Sequence, residues 1–142
     1  MIKLEKIKFQ YPGQHHPTLL IENFVIQKGE KVFLFGPSGC GKTTLLELLS
    51  GVLAPQSGCV QILKMDLTNL SNSSRDQFRS DHIGYIFQSF NLIPYLNVAE
   101  NISLPLALSA QRRKKISIHD QDSEVKRLCQ DCRHSGYQYG KR

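Results

Sequence analysis

The chain has 142 residues, of which 40% are apolar, with 18 Lys or Arg against 12 Asp or Glu and four cysteines. This is one domain or part of one, with ordinary core-forming content. No apolar run approaches the roughly 20 residues of a membrane-spanning helix, and the start Met1-Ile2-Lys3-Leu4-Glu5-Lys6 has charges where a secretion signal needs an apolar stretch, so none is expected. The expectation is a cytoplasmic chain with reduced thiols. The net charge of +6 does not imply nucleic acid: residues 1–110 hold nine basic and eight acidic side chains, and residues 111–142 hold nine and four.

In chain order, residues 2–9 alternate apolar and charged with one phase slip, Ile2 and Leu4, then Ile7 and Phe9. That pattern predicts a half-buried strand with a bulge. Tyr11-Pro12-Gly13 breaks it, and a second strand is expected over 19–26. After the turn Gln27-Lys28-Gly29-Glu30, the apolar run Val32-Phe33-Leu34-Phe35 reads as a fully buried strand.

Next comes Gly36-Pro37-Ser38-Gly39-Cys40-Gly41-Lys42-Thr43-Thr44, which is Gly, four residues, then Gly-Lys-Thr. Good helix formers follow as far as Ser50, and Gly51 supplies a helix stop. A glycine-rich loop between a strand and a helix is the context of a phosphate-binding loop. The glycines let successive N–H groups point inward, and the helix adds its positive N-terminal end. Lys42 supplies a cation for β- and γ-phosphate oxygens, and the Thr43 hydroxyl an oxygen ligand for Mg2+. Cys40, beside Lys42 at a helix N-terminus, is placed to be a reactive thiol. Taken alone, the loop is compatible with any nucleotide enzyme, or with a turn that happens to carry Lys-Thr.

Beyond it, Ala54-Pro55-Gln56-Ser57-Gly58 is a turn, residues 59–63 a short strand, and 71–80 a polar surface helix. His82-Ile83-Gly84-Tyr85-Ile86-Phe87-Gln88 reads as another core strand, ending at a glutamine. Asn97-Val98-Ala99-Glu100 has capping-box spacing, so a helix starts there, with Pro105 expected to interrupt or kink it. Arg112-Arg113-Lys114-Lys115 is expected to be a solvated charge run. Val125, Leu128, Cys129 and Cys132 lie at helical spacing, so Cys129 and Cys132 with His134 are read as a helix face rather than a zinc site. The last ten residues show no periodicity and are expected to be disordered.

In order, these pieces resemble the nucleotide-binding subunit of an ATP-binding-cassette (ABC) transporter, and most resemble the export-type ATPases of lipoprotein release and macrolide efflux. The resemblance covers about residues 1–110. Tyr11 matches the aromatic that stacks on adenine, Gly36 to Thr44 the Walker A loop, and Ile83 to Gln88 the segment ending in the family's glutamine. Asn91-Leu92-Ile93-Pro94 with Asn97-Val98-Ala99-Glu100-Asn101-Ile102 matches the entry to the helical subdomain.

The implied fold is α/β: a P-loop NTPase core with a small N-terminal antiparallel β-subdomain, truncated before the Walker B strand. The implied ligands are ATP and Mg2+. Gly36, Pro37, Ser38, Gly39, Cys40, Gly41, Lys42, Thr43, Thr44 and Tyr11 would bind nucleotide, Lys42 and Gln88 would be catalytic, and Thr43 and Gln88 would hold metal. The implied partners are a second nucleotide-binding subunit and a membrane-spanning transporter subunit at the inner face of the membrane, and no nucleic acid.

The departures are as informative. No apolar strand ending in Asp-Glu follows Gln88, and Asp120 and Asp122 lie in polar surroundings. His134-Ser135-Gly136-Tyr137-Gln138 lies early for the family's Leu-Ser-Gly-Gly-Gln signature, and Tyr137 stands where a glycine is needed; His134 lacks the switch histidine's context. Residues 1–110 therefore read as a partial ATP-binding domain and 111–142 as a basic tail, as a frameshift, a truncated gene or a designed fragment would leave. The resemblance implies ATP binding without efficient hydrolysis. The alternatives are a non-hydrolysing nucleotide-binding module, a non-functional remnant, or, with no acceptor site or Arg-rich lid in evidence, a small kinase.

Overall fold

Strand β1 (Ile2–Phe9) loses its regular alternation at Lys6, and the backbone bulges there. The structure, a computed structural model, describes residues 1–87, 91–115, 123–128 and 130. Lys6 has φ 51°, and the pairing of β1 with β3 (Ser57–Ile62) shifts register between Glu5 and Lys8. The extra residue returns Ile7 and Phe9 to the face that already holds Leu4, and all three are buried. Gly58 lies opposite with φ 96°. A Cβ there would sit 2.4 Å from the Lys6 carbonyl oxygen and 2.5 Å from that of Glu5, so only glycine allows this approach.

The other edge of β1 pairs antiparallel with β2 (Leu19–Ile26), from Ile2 opposite Ile26 to Phe9 opposite Leu19. Strand β3 turns through Leu63 and Lys64, both at positive φ, into β4 (Met65–Asp66). Leu63, expected to end the strand, is thus a turn residue. The four strands lie in the order β2-β1-β3-β4, all antiparallel. Val60 and Ile62 join the β1 residues in the core, with Leu48 of helix α1 (Lys42–Leu49) and Phe78 of α2 (Asn72–His82) also buried. Each such side chain contributes about 1.5–3 kcal/mol by leaving water. Just past the end of helix α1, Gly51 N–H bonds to the Leu48 carbonyl while that of Val52 reaches the Glu47 carbonyl. Asp66 accepts from Thr68 N–H and Asn69 Nδ2, both at 2.9 Å. Burial alone would raise its pKa, but the backbone and hydroxyl of Thr68, the Cys59 thiol and Asn69 together hold it below the ordinary carboxylate value. Burial, then the charge of Asp66, pushes the Cys59 thiol up.

The chain divides into two units, Met1–Arg79 and Ser80–Arg142. In the second, helix α3 (Val98–Leu108) opens with the expected capping box. Glu100 N–H donates to Asn97 Oδ1 at 2.9 Å, and Asn97 N–H to Glu100 Oε2 at 2.7 Å. Of the two expected effects of Pro105, interruption does not occur: the helix continues through it to Leu108. Pro105 has no N–H to give the Asn101 carbonyl, so the helix lacks that one ladder bond. Buried Ser109 donates its hydroxyl to Asp81 and accepts from Arg112 N–H at 3.0 Å, starting α4 (Ala110–Lys115). The charge run is only partly solvated. Arg112 donates to the carbonyls of Ser80 at 2.5 Å and Ile83 at 2.8 Å, and Arg113 to that of Ala107 at 2.8 Å; Lys114 and Lys115 are exposed. Residues 123–128 are helical, in keeping with the predicted amphipathic helix, whose Cys129 and Cys132 lie outside the described residues.

Two predicted core strands do not form. Residues 32–35 and 83–87 make no strand pairing, and Phe33, Phe35 and Ile86 are 86%, 92% and 98% exposed. A wholly apolar run becomes a buried strand only between neighbours that take its N–H and C=O groups and cover both its faces. Among the described residues no strand adjoins either segment.

Candidate functional site

Helix α1 is entered through Gly41, its N-cap residue and the last glycine of the loop, with φ 91° and no side-chain cap. A Cβ on Gly41 would meet Leu19 Cδ2 at 2.7 Å and the Thr18 carbonyl oxygen at 3.2 Å, so the loop packs against the start of β2. The first turn carries no acidic residue. Its N–H groups and positive end are therefore open to an anion. Cys40 N–H closes the loop onto the Pro37 carbonyl at 3.4 Å.

Lys42, the first helical residue, folds back over the loop. Its ammonium donates to the carbonyls of Gly36 at 2.8 Å and Pro37 at 2.6 Å and lies 3.7 Å from Cys40 Sγ. A cation is thus held within reach of the loop that would surround a phosphate. Cys40 is exposed, and its sulfur lies where a side chain on residue 36 would go, 2.7 Å from that Cβ position. Ser38 and Thr43 are exposed, whereas Thr44 is buried.

Tyr11 is half-buried just after β1. Its ring meets Phe9 edge-to-face, centroids 4.9 Å apart and planes at 90°. Its hydroxyl lies 3.2 Å from Thr44 Oγ1 and donates to Glu47 Oε2 at 3.1 Å. The structure thus brings Tyr11 to the helix that carries Lys42, although 31 residues separate them in sequence. Glu47 was not singled out from sequence; its only signal there is the i, i+3 spacing from Thr44, which puts both on one helix face. The loop joining β1 to β2 was also missed. Gln14, His15, His16, Pro17 and Thr18 line a cleft of about 490 Å³ with Gly39. Gln88, predicted to be catalytic and a metal ligand, lies outside the described residues, as do Asp120, Asp122 and the stretch 134–138.

No group of three or more His, Cys, Asp or Glu among the described residues could hold a metal ion. The exposed Thr43 hydroxyl at the head of α1 is instead a single hard oxygen donor. That suits magnesium, which keeps several waters and is commonly held by one or two protein oxygens together with substrate phosphates.

A family model described as "ABC transporter" matches residues 21–139. This chain belongs to the ABC transporter family. Among its relatives, the ABC transporter ATP-binding protein YtrE of Bacillus subtilis (strain 168) is 42% identical over 104 residues, 70% of this chain and 45% of the relative. The uncharacterized ABC transporter ATP-binding protein YbbA of Escherichia coli (strain K12) is 40% identical over 100 residues, 70% and 44%. The uncharacterized ABC transporter ATP-binding protein Rv0073 of Mycobacterium tuberculosis (strain ATCC 25618 / H37Rv) is 41% identical over 92 residues, 65% and 28%.

Among solved structures, the dimeric bacterial ABC transporter cassette MJ0796 matches with a TM-score of 0.79 at 32% identity, over 97% of this chain and 58% of the other. A dimeric post-hydrolysis state of the same cassette, bound to ADP and Pi, matches with a TM-score of 0.77 at 32% identity, over 89% and 55%. The chain thus spans between about a quarter and three-fifths of the proteins it matches. No helix among the described residues of this ABC chain is long and apolar enough to cross a membrane.

Proposed function

We propose that this chain is the loop-bearing portion of an ABC transporter ATPase and that it binds Mg-ATP at residues 36–44. The observation that carries the reading is the site around α1. An uncapped helix N-terminus, a glycine-rich loop and the Lys42 ammonium converge there, with Tyr11 tied to the same helix. In this reading the N–H groups of Gly36 to Thr44 and the Lys42 ammonium take the phosphates, and Tyr11 carries the base. Magnesium, when bound with the nucleotide, offsets phosphate charge, and we assign Thr43 and Gln88 to hold it. The cleft shared by Gly39 and residues 14–18 adjoins the loop and gives the rest of the nucleotide room.

Residues 1–110 are then the partial ATP-binding domain and 111–142 its basic tail. The dimeric state of the matching cassettes supports pairing with a second nucleotide-binding subunit. We assign a membrane-spanning subunit, at the cytoplasmic face of the membrane, to an apolar pocket of about 310 Å³ beside the start of α3. Leu92, Ile93, Pro94, Leu96, Val98 and Ile102 line it.

The parts present concern binding. In phosphoryl transfer to water a further group orients the nucleophile, and no apolar run ending in Asp-Glu follows Gln88 in the sequence. The expected behaviour of the purified chain is stoichiometric ATP binding without turnover. Equilibrium binding and phosphate release, measured on the same sample, test this. Steady phosphate release that disappears in Lys42→Ala would contradict the non-hydrolysing reading, and absence of any ATP binding would leave the remnant reading.

A further inference from the structure

We propose that Glu47 is a positioning residue for the nucleotide base: it acts through the Tyr11 hydroxyl, holding the ring at a fixed place along the helix that starts at the phosphate loop. The proposal rests on the reading of Tyr11 as the base platform. The proton count gives the contact a direction. A phenol has one proton and an ionised carboxylate can only accept, so Tyr11 donates to Glu47 at 3.1 Å. The Thr44 hydroxyl, 3.2 Å away, must then donate to the Tyr11 oxygen. Thr44 is 5% exposed, so this hydroxyl has little water to turn to. The result is a one-way chain, Thr44 to Tyr11 to Glu47, ending on a charged acceptor, which is the stronger kind of hydrogen bond.

The geometry of the helix makes this more than a local staple. Thr44 and Glu47 both belong to α1, whose first residue is Lys42. Five residues of helix rise about 7.5 Å, so Lys42 and the Glu47 anchor are held apart by a rigid spacer. Phe9 meets the ring edge-to-face, so with the hydroxyl tied down the ring is held at two ends, and half-burial leaves part of its surface open to a base. Without Glu47 the ring keeps the Phe9 contact but loses its tether to the phosphate end. A base and a triphosphate on one nucleotide need their two subsites at a set separation, and affinity falls when one is free to wander.

A plain fold staple between the hairpin loop and α1 would have the same contacts but different consequences. Inorganic tripolyphosphate carries the phosphates without the base and separates the two. In the full chain, Mg-ATP and Mg-tripolyphosphate are titrated by calorimetry against the parent, Glu47→Ala, Glu47→Gln, Tyr11→Phe, Tyr11→Ala and the double variant Glu47→Ala/Tyr11→Phe. Glu47→Ala and Tyr11→Phe are each expected to weaken ATP about 3- to 10-fold and to leave tripolyphosphate unchanged. Glu47→Gln, whose amide oxygen still accepts, is expected to retain most of the ATP affinity, and the double variant to be no weaker than Tyr11→Phe alone. If ATP and tripolyphosphate weaken in step, Glu47 is a fold staple and the proposal is overturned. If Tyr11→Ala weakens ATP while Glu47→Ala does not, the proposal fails and the base platform stands. If Tyr11→Ala leaves ATP affinity unchanged, the platform and the proposal fall together.

Discussion

Gly41→Ala would disturb the loop at the point where it becomes a helix. The substitution carries two separable penalties. The first is backbone: φ is 91°, and a residue with a Cβ in this left-handed region costs about 1–2 kcal/mol. The second is contact: the new Cβ would sit 2.7 Å from Leu19 Cδ2, 3.2 Å from Leu19 Cγ and 3.2 Å from the Thr18 carbonyl oxygen. Leu19 can turn its side chain, but the Thr18 carbonyl is backbone, and overpacking of this kind costs about 1–3 kcal/mol. Gly39→Ala is the control, because Gly39 has φ 81° and nothing within 4 Å of its Cβ position. It should incur only the backbone penalty. Thermal or urea unfolding of the two variants should therefore place Gly41→Ala below Gly39→Ala by about 1–3 kcal/mol, the contact part alone. Adding Leu19→Ala should remove part of that difference, so the two substitutions are non-additive. Equal destabilisation by Gly39→Ala and Gly41→Ala, or strict additivity with Leu19→Ala, would refute the packing of the loop against β2.

Three further outcomes are expected. In a timed alkylation read by mass spectrometry, exposed Cys40 should react faster than Cys59, whose thiol pKa is raised by burial and by Asp66; Mg-ATP should slow Cys40 alone, and lack of protection would mean that nucleotide does not cover the loop. Asp66 has a folded pKa held below its unfolded value, so its stabilising contribution is complete above about pH 3.9 and is lost as pH falls below that through the folded pKa. Asp66→Asn should accordingly lower stability at pH 7 by about 1 kcal/mol and flatten the acid side of the stability–pH curve, and an unchanged curve would count against the Thr68 and Asn69 contacts. The unpaired apolar residues Phe33, Phe35 and Ile86 should make the isolated chain self-associate, and Phe33→Ser/Phe35→Ser should reduce this in sedimentation; a monomeric parent at tens of micromolar would contradict it.

What could be read from the sequence was what local chemistry decides. The phase slip in β1 marked the bulge because a two-residue period cannot put both Leu4 and Ile7 inside without an extra residue. Asn97 and Glu100 announced the start of α3 because a capping box is complete within four residues. The phosphate loop was legible for the same reason, since its turn, cation and helix start are contiguous.

What depends on distant partners was not legible. Residues 32–35 and 83–87 have the composition of core strands, but a strand exists only with its neighbours, and none among the described residues pairs with either. Arg112 looked like one of four solvated charges, yet the carbonyls of Ser80 and Ile83, 32 and 29 residues away, engage its guanidinium. Pro105 is a helix breaker by local rule, yet α3 runs through it from Val98 to Leu108. Glu47 could not be assigned because its partner, Tyr11, lies 36 residues earlier.

The most direct test of nucleotide binding is a titration of Mg-ATP into the purified chain and into Lys42→Ala. In the free protein the Lys42 ammonium is held by the Gly36 and Pro37 carbonyls, and binding would exchange these neutral acceptors for phosphate oxygens. A charge-assisted contact of that kind is worth about 1.5–3 kcal/mol, so Lys42→Ala should weaken ATP by about 10- to 150-fold. Equal ATP affinity in the two proteins would contradict the assignment of the 36–44 loop as the phosphate site.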